Sequence, residues 1–222
     1  MDFSPEQTSH WVLDNQGIQV SPEWIYQHIW EDKKHDGKLY EHLRRKKKYW
    51  KRGQNHDNRG KIPNQKRINE RPVVVDNRER IGNWEGDTII GKGKNGAVVT
   101  LVERKSRFLR MKKVESRTKD AVTQAVIDLL TDYPVHTITF DNGKEFAGHE
   151  EISQALGADI YFAHPNASWE RGTNENTNGL IRQYIPKNVS FIKLTSEYIQ
   201  FAENRLNGRP RKCVVPQNKT LL

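Results

Sequence analysis

The sequence predicts an α/β domain, a mixed sheet with flanking helices, preceded by a small helical segment. Three observations carry this. Strand-like apolar stretches recur three times in close succession from residue 84. Helix-period and strand-like segments then alternate down to residue 162. Ahead of them lie two short helical patterns, each opening on a capping signal, and then a basic stretch.

The N-terminal patterns come first. Ser4-Pro5-Glu6-Gln7 reads as a helix start, with Ser4 as cap, Pro5 at the first helical position and Gln7 closing a capping box. This pattern runs to about Leu13 and breaks at Asp14-Asn15-Gln16-Gly17. A second start stands at Ser21-Pro22-Glu23, and Trp24, Ile25, His28 and Ile29 recur at helical spacing. Two helices joined by a short Gly-containing turn suit a helix-turn-helix, and equally an ordinary helical hairpin. The basic stretch downstream favours the first. Residues 53–80 are poor in apolar groups and rich in Arg, Lys, Asn and Gly, and read as a basic linker.

The larger domain follows. Trp84 to Gly91, Ala97 to Val102 and Phe108 to Val114 read as three strands with short connections, which suits an antiparallel meander. Thr118 to Tyr133 places Ala121, Val122, Ala125, Val126, Leu129 and Leu130 on one helical face. His136 to Phe140 reads as a fourth strand running into Asp141-Asn142-Gly143. A helix over Glu150 to Leu156, a fifth strand over Asp159 to Phe162 and a further helix complete the set. The order β-β-β-α-β-α-β-α is that of a ribonuclease-H-like domain with a five-stranded mixed sheet. The expected layout is a helical segment with its basic run (1–52), the linker (53–80), the core (81–190), and a C-terminal helix and tail (191–222).

Composition narrows the function. Mean hydropathy is −0.90. No run approaches the roughly 18 apolar residues that read as a membrane span, and the N-terminus lacks the pattern of a signal peptide. The single cysteine, Cys213, excludes a disulfide within the chain and a multi-cysteine zinc site, and fits a reducing, cytoplasmic setting. Formal net charge is +9. Between Glu31 and Pro72 there are 15 Lys/Arg and 6 Asp/Glu, so that stretch alone carries the whole excess. Its centre holds Arg44, Arg45, Lys46, Lys47, Lys48, Lys51 and Arg52, with Tyr49 and Trp50 among them. A polyanion partner follows, most simply nucleic acid, bound largely through its phosphates and weakened by salt.

Carboxylates supply the candidate chemistry. Asp87 lies within the first strand of the core and Asp141 at the end of the fourth. If those strands are neighbours, the two side chains can face each other. A third carboxylate would come from a helix beside the sheet, and Glu175 is the candidate. Gathered carboxylates repel, and two divalent ions relieve that repulsion while serving phosphodiester chemistry. Oxygen ligands favour Mg2+, with Mn2+ as substitute. Glu85, two residues before Asp87, and Glu145, four after Asp141, are rivals that spacing alone does not exclude.

The strings WEGDTIIGK, TLVERKSRF, FDNGKEFAGH and SWERGTNENTNGLIRQYIPK, with LYEHLRRKKK, KIPN and ERP between the ends, occur in one order along nearly the whole chain. Together they resemble the IS-thirty family of insertion-sequence transposases. The resemblance implies a retroviral-integrase-like core whose triad falls on Asp87, Asp141 and Glu175, with 33 residues between the last two. It ranks Glu85 and Glu145 as supporting residues. Related enzymes carry a Lys or Arg seven residues after the Glu, here Arg182, about two helical turns on and suited to a DNA phosphate. The implied activity is metal-dependent cleavage at transposon ends and strand transfer. The implied partners are terminal-repeat and target DNA and a second copy of the chain. Family members usually begin with a longer N-terminal region and run further. Val214 to Leu222 departs from the family pattern, as a shifted-frame end would. The alternative expectation is therefore a truncated, non-cutting DNA-binding inhibitor of a full-length transposase.

Overall fold

The computed structural model describes residues 3–43, 62–94, 96–165 and 167–211. The basic run Arg44 to Arg52 and the segment Val214 to Leu222 lie outside the described residues. The chain divides into two compact units. One takes in residues 1–53 with 205–221, and the other residues 54–204 with Leu222.

The first unit contains helices α1 (Pro5–Gln16) and α2 (Pro22–Lys34), which pack on each other, and a 3-10 turn over Leu39–His42. Local chemistry sets their ends. Ser4 accepts from the Gln7 N–H at 3.3 Å, and the Gln7 side chain accepts from the Ser4 N–H at 3.0 Å, a complete capping box. Gly17 ends α1 in the left-handed region at φ 67°, where a residue without Cβ is unstrained. Ser21 caps α2 in turn, accepting from the Trp24 N–H at 3.1 Å. Helix α2 buries none of its residues and exposes Trp24 and Trp30.

The second unit is built on six strands, β1 (Lys66–Arg67), β2 (Asn83–Ile90), β3 (Ala97–Glu103), β4 (Leu109–Val114), β5 (Thr137–Phe140) and β6 (Asp159–Phe162). Their spatial order is β1-β6-β5-β2-β3-β4. Strands β2, β3 and β4 form an antiparallel meander, while β2, β5, β6 and β1 run parallel. From β2 onward, element order and strand directions are those of a ribonuclease-H-like domain. The sheet has six strands rather than the expected five. The addition, β1, pairs only two residues, Lys66 with Tyr161 and Arg67 with Phe162, too few to leave an alternation pattern. It belongs to a stretch that reads as linker in the sequence. There Ile62, Ile68 and Val75 are nevertheless buried, and a short helix α3 (Val73–Asp76) forms.

The helices that complete the unit are α4 (Lys119–Leu130), α5 (His149–Leu156), α6 (Gly172–Tyr184) and α7 (Ser196–Asn207), the last running into the other unit. Alternation along the strands gives the sheet two unlike faces. One carries Trp84, Val99, Leu101, Ile138 and Phe140, which join Val122, Val126 and Leu130 of α4 and Ile152 of α5 in the apolar core. The other face presents Asn83, Glu85 and Asp87 on β2, Thr100 on β3, and Thr137 and Thr139 on β5, and α6 packs over β2 and β3 there. A buried polar row of this kind requires partners, because each unpaired group carries a desolvation penalty.

Gly86 interrupts this alternation on the core side. A Cβ there would collide with the Phe140 ring, which stacks on Phe146 at 4.2 Å between centroids. Gly86→Ala is therefore expected to destabilise the protein by about 1–3 kcal/mol through overpacking. Urea unfolding measures this, and an unchanged midpoint would show that the ring moves aside freely.

Candidate active site

Strand register brings the two aspartates together. Glu85 pairs with Thr139 across the parallel β2–β5 ladder. Asp87 and Asp141 each lie two residues further on, Asp87 inside β2 and Asp141 just past the end of β5, so they stand on the same face of neighbouring strands. The Arg171 guanidinium bridges them. Its Nη1 lies 3.6 Å from Asp87 Oδ2 and its Nη2 lies 3.7 Å from Asp141 Oδ2. The two carboxylates keep 23 % and 22 % of their side-chain surface, enough for a small ion to reach them from solvent.

Each aspartate is also fixed by neutral donors. Asp87 Oδ1 accepts from the Thr88 N–H at 2.8 Å, and Oδ2 from Asn178 Nδ2 at 2.8 Å. Asn178 is in turn held through its Oδ1 by Thr100 Oγ1 at 3.3 Å. Asp141 Oδ1 accepts from the Gly143 N–H at 2.8 Å, closing the turn that follows β5. Burial pushes the Asp87 carboxyl up to about 6, against the pull of Arg171, and the charges of Asp141 and Glu145 push the same way. Two neighbouring acids, one of them reluctant to ionise, call for a cation.

Glu175 sits in the first turn of α6 and is exposed. Asn178, one turn further on the same helix face, touches Asp87, so α6 brings Glu175 to this end of the sheet without closing it onto the aspartates. Among the described residues no group of three or more His, Cys, Asp or Glu side chains is close enough to hold a metal ion. Asp87 and Asp141 are brought together, and Glu175 is not joined to them.

Both rival acids are already engaged. Glu85 is fully buried, pairs with Arg104, and accepts through Oε2 from the Asn174 N–H at 2.9 Å. Arg104 Nε donates to the Val75 carbonyl at 3.2 Å. Glu145 accepts from Arg117 Nε at 2.7 Å and from Thr88 Oγ1 at 2.9 Å. Arg182 is half-buried, and burial lowers its pKa. Its Nη2 donates to the Ile90 carbonyl at 2.9 Å and its Nη1 to the Ile185 carbonyl at 3.4 Å, so here it ties α6 to the end of β2. The seven basic residues of the run, Arg44, Arg45, Lys46, Lys47, Lys48, Lys51 and Arg52, lie outside the described residues.

Comparison with known proteins adds sequence relatives to this geometry. No family model matches the chain. It is 47 % identical over 213 residues to the transposase for insertion sequence element IS4351 of Bacteroides fragilis, covering 95 % of this chain and 65 % of the relative. It is 37 % identical over 229 residues to transposase InsI for insertion sequence element IS30A of Escherichia coli K12, covering 96 % and 59 %. Its sequence is thus similar to insertion-sequence transposases of the IS4351 and IS30 elements. The chain spans less than two thirds of the length of either relative. Among solved structures, the catalytic core domain of BIV integrase is similar at 19 % identity with a TM-score of 0.47, over 58 % of this chain and 85 % of that one.

Two residues within the IS30-type strings were missed as site members in the sequence. Arg171 stands inside the string around Glu175, but nothing in the spacing tells a site cation from a surface one. Asn178 had a readable signal, since it lies three residues after Glu175 and so on the same helical face.

The raised Asp87 value has a consequence for stability. Between the ordinary 3.8 and about 6, the folded protein keeps a proton that the unfolded chain has released. Stability therefore falls as pH rises through that window, and the penalty is absent below it. Asp87→Asn removes the group. In metal-free urea unfolding across the window, the parent should lose stability relative to this variant as pH rises; parallel curves would contradict the assignment.

Proposed function

We propose that this chain carries the catalytic domain of a DNA transposase. In this reading it cleaves DNA at transposon ends by metal-assisted hydrolysis and joins the freed 3′-hydroxyl to another phosphodiester. The observation that carries the reading is the pair of aspartates on adjacent strands, held together by a cation from the protein itself. The similarity to the IS4351 and IS30A transposases supports it.

Asp87 and Asp141 would hold divalent ions, with Glu175 as third ligand once the start of α6 closes on the pair. The donor set fits: these are hard oxygens, reachable from solvent, in a place where charge repulsion already calls for a cation. Mg2+, with Mn2+ as substitute, is the ion this chemistry suits. When bound, two such ions would supply activation of a water or 3′-hydroxyl and stabilisation of the leaving oxygen.

The remaining work falls to the chain's own residues. Thr88 and Asn178 fix the two oxygens of Asp87, so its carboxylate cannot rotate away. Glu85 holds the Asn174 N–H, which sets where α6 begins and so where Glu175 stands. Arg182, on leaving the Ile90 carbonyl, could reach a DNA phosphate. The basic run around Arg44 to Arg52 would bind the DNA backbone, which predicts salt-sensitive affinity. The partners are terminal-repeat and target DNA, and a second copy of the chain acting on paired ends.

Incubation with labelled terminal-repeat DNA and Mg2+ or Mn2+ tests the reading. Metal-dependent nicks and joined products are expected. Asp87→Ala, Asp141→Ala and Glu175→Ala should each lower both by about 100-fold or more. Cleavage by Asp87→Ala at the parent's rate would overturn the assignment. Loss on Glu145→Ala but not Glu175→Ala would move the third ligand to Glu145. Salt-sensitive DNA binding without cleavage would favour the inhibitor instead.

A further inference from the structure

We propose that Arg171 is the resident counter-ion of the two-aspartate site, and that a divalent cation is held there only when Arg171 leaves. The proposal rests on the metal-site reading of Asp87 and Asp141.

Three observations carry it. First, position: the guanidinium lies between the two carboxylates, with one nitrogen toward each, in the place from which a cation would neutralise both. Asp141 and Glu145 raise the negative potential there, and Glu145 is itself paired with Arg117.

Second, the bonding is loose. Distances of 3.6 and 3.7 Å are too long for N–H···O hydrogen bonds, so the contact is charge attraction without the fork geometry arginine can make with a carboxylate. The guanidinium's hydrogen bond is to the Gly86 carbonyl, from Nη1 at 3.2 Å. Its Nε is buried with no hydrogen-bond partner. A guanidinium offers five donors. One bound for good would be expected to satisfy more of them.

Third, location: Arg171 is the residue immediately before α6, the helix that carries Glu175. Withdrawal of its side chain from the aspartates would empty the space beside the start of that helix. Filling the site with metal and bringing up the third carboxylate would then be one event. In the metal-free protein, Arg171 keeps the aspartates from repelling each other. In the metal-bound protein, the same positive charge beside a divalent ion would be unfavourable. Arg171 is thus a positioning residue whose presence weakens metal binding in exchange for a stable empty site.

The test is Mn2+ binding to the full 222-residue chain without DNA, by calorimetry, at a pH well above the carboxylate range. Parent, Arg171→Gln, Arg171→Lys, Asp87→Asn and the double variant of Arg171→Gln with Asp87→Asn are compared. Arg171→Gln should bind Mn2+ about tenfold more tightly than the parent, since a competing unit charge has gone. Arg171→Lys, which keeps the charge, should stay near the parent. The gain should vanish in the double variant. Thermal unfolding gives a second readout. Without metal Arg171→Gln should melt below the parent, and saturating Mn2+ should raise its Tm by more. If Arg171→Gln folds only when Mn2+ is added, that is the expected behaviour of a missing counter-ion; failure to fold that Mn2+ does not rescue overturns the proposal. Unchanged or weaker Mn2+ binding by Arg171→Gln, with binding lost in Asp87→Asn, overturns it and leaves the metal site standing. Binding that Asp87→Asn does not alter removes the metal-site reading itself.

Discussion

Glu85 holds strand and helix together at the heart of the polar sheet face. Its carboxylate is completely buried, and it ties β2 both to Arg104 and to the Asn174 N–H in the first turn of α6. A buried carboxylate is tolerated only when charge and lone pairs are matched, and removing one partner leaves the other uncompensated. Strand and helix must therefore meet in one arrangement. That arrangement sets Asp87 two residues along β2, and Glu175 one residue along α6, at the same end of the sheet. Arg104 extends the restraint through the Val75 carbonyl to the segment before β2, where Arg71 donates to Thr139 Oγ1 at 3.0 Å. The polar row is thereby satisfied from both sides of the strand that carries Asp87.

The two faces of the sheet divide the work. The apolar face supplies the hydrophobic burial that stabilises the unit, from Trp84 and Leu101 to Phe162. The other face also buries Ile89, Val98 and Val102, but concentrates negative charge at Glu85, Asp87 and Asp141. In the free protein the charge is balanced internally, by Arg171 on the aspartates, Arg117 on Glu145 and Arg104 on Glu85. Only the first of these pairings lacks hydrogen-bond geometry at the carboxylate. The electrostatics thus separate a replaceable cation from two structural ones.

Much of the fold was legible because period and punctuation are local. The three meander strands, α4 with its Thr118 cap, and the β6 stretch Asp159–Phe162 all follow from alternation, helical spacing and capping. Strand β1 was not legible, since two paired residues leave no period. Asp87 and Asp141 could be nominated from their places on strands, but their adjacency depends on β2 pairing with β5, a long-range register the sequence does not write out. Glu85 and Glu145 could not be told from metal ligands by spacing. What separates them is burial and the partners Arg104 and Arg117, far away in sequence. Arg171 was hidden for the same reason: its meaning lies in which two carboxylates it faces.

The central claim is that Asp87 and Asp141 form the metal-holding pair and that α6 brings Glu175 to it. Crystals of the protein soaked in Mn2+ and measured at the manganese absorption edge test it directly. The account predicts an anomalous peak between the Asp87 and Asp141 carboxylates, with Arg171 turned away and Glu175 drawn in. A peak elsewhere, for instance at Glu145, or Arg171 still lodged between the aspartates beside a bound ion, would contradict it.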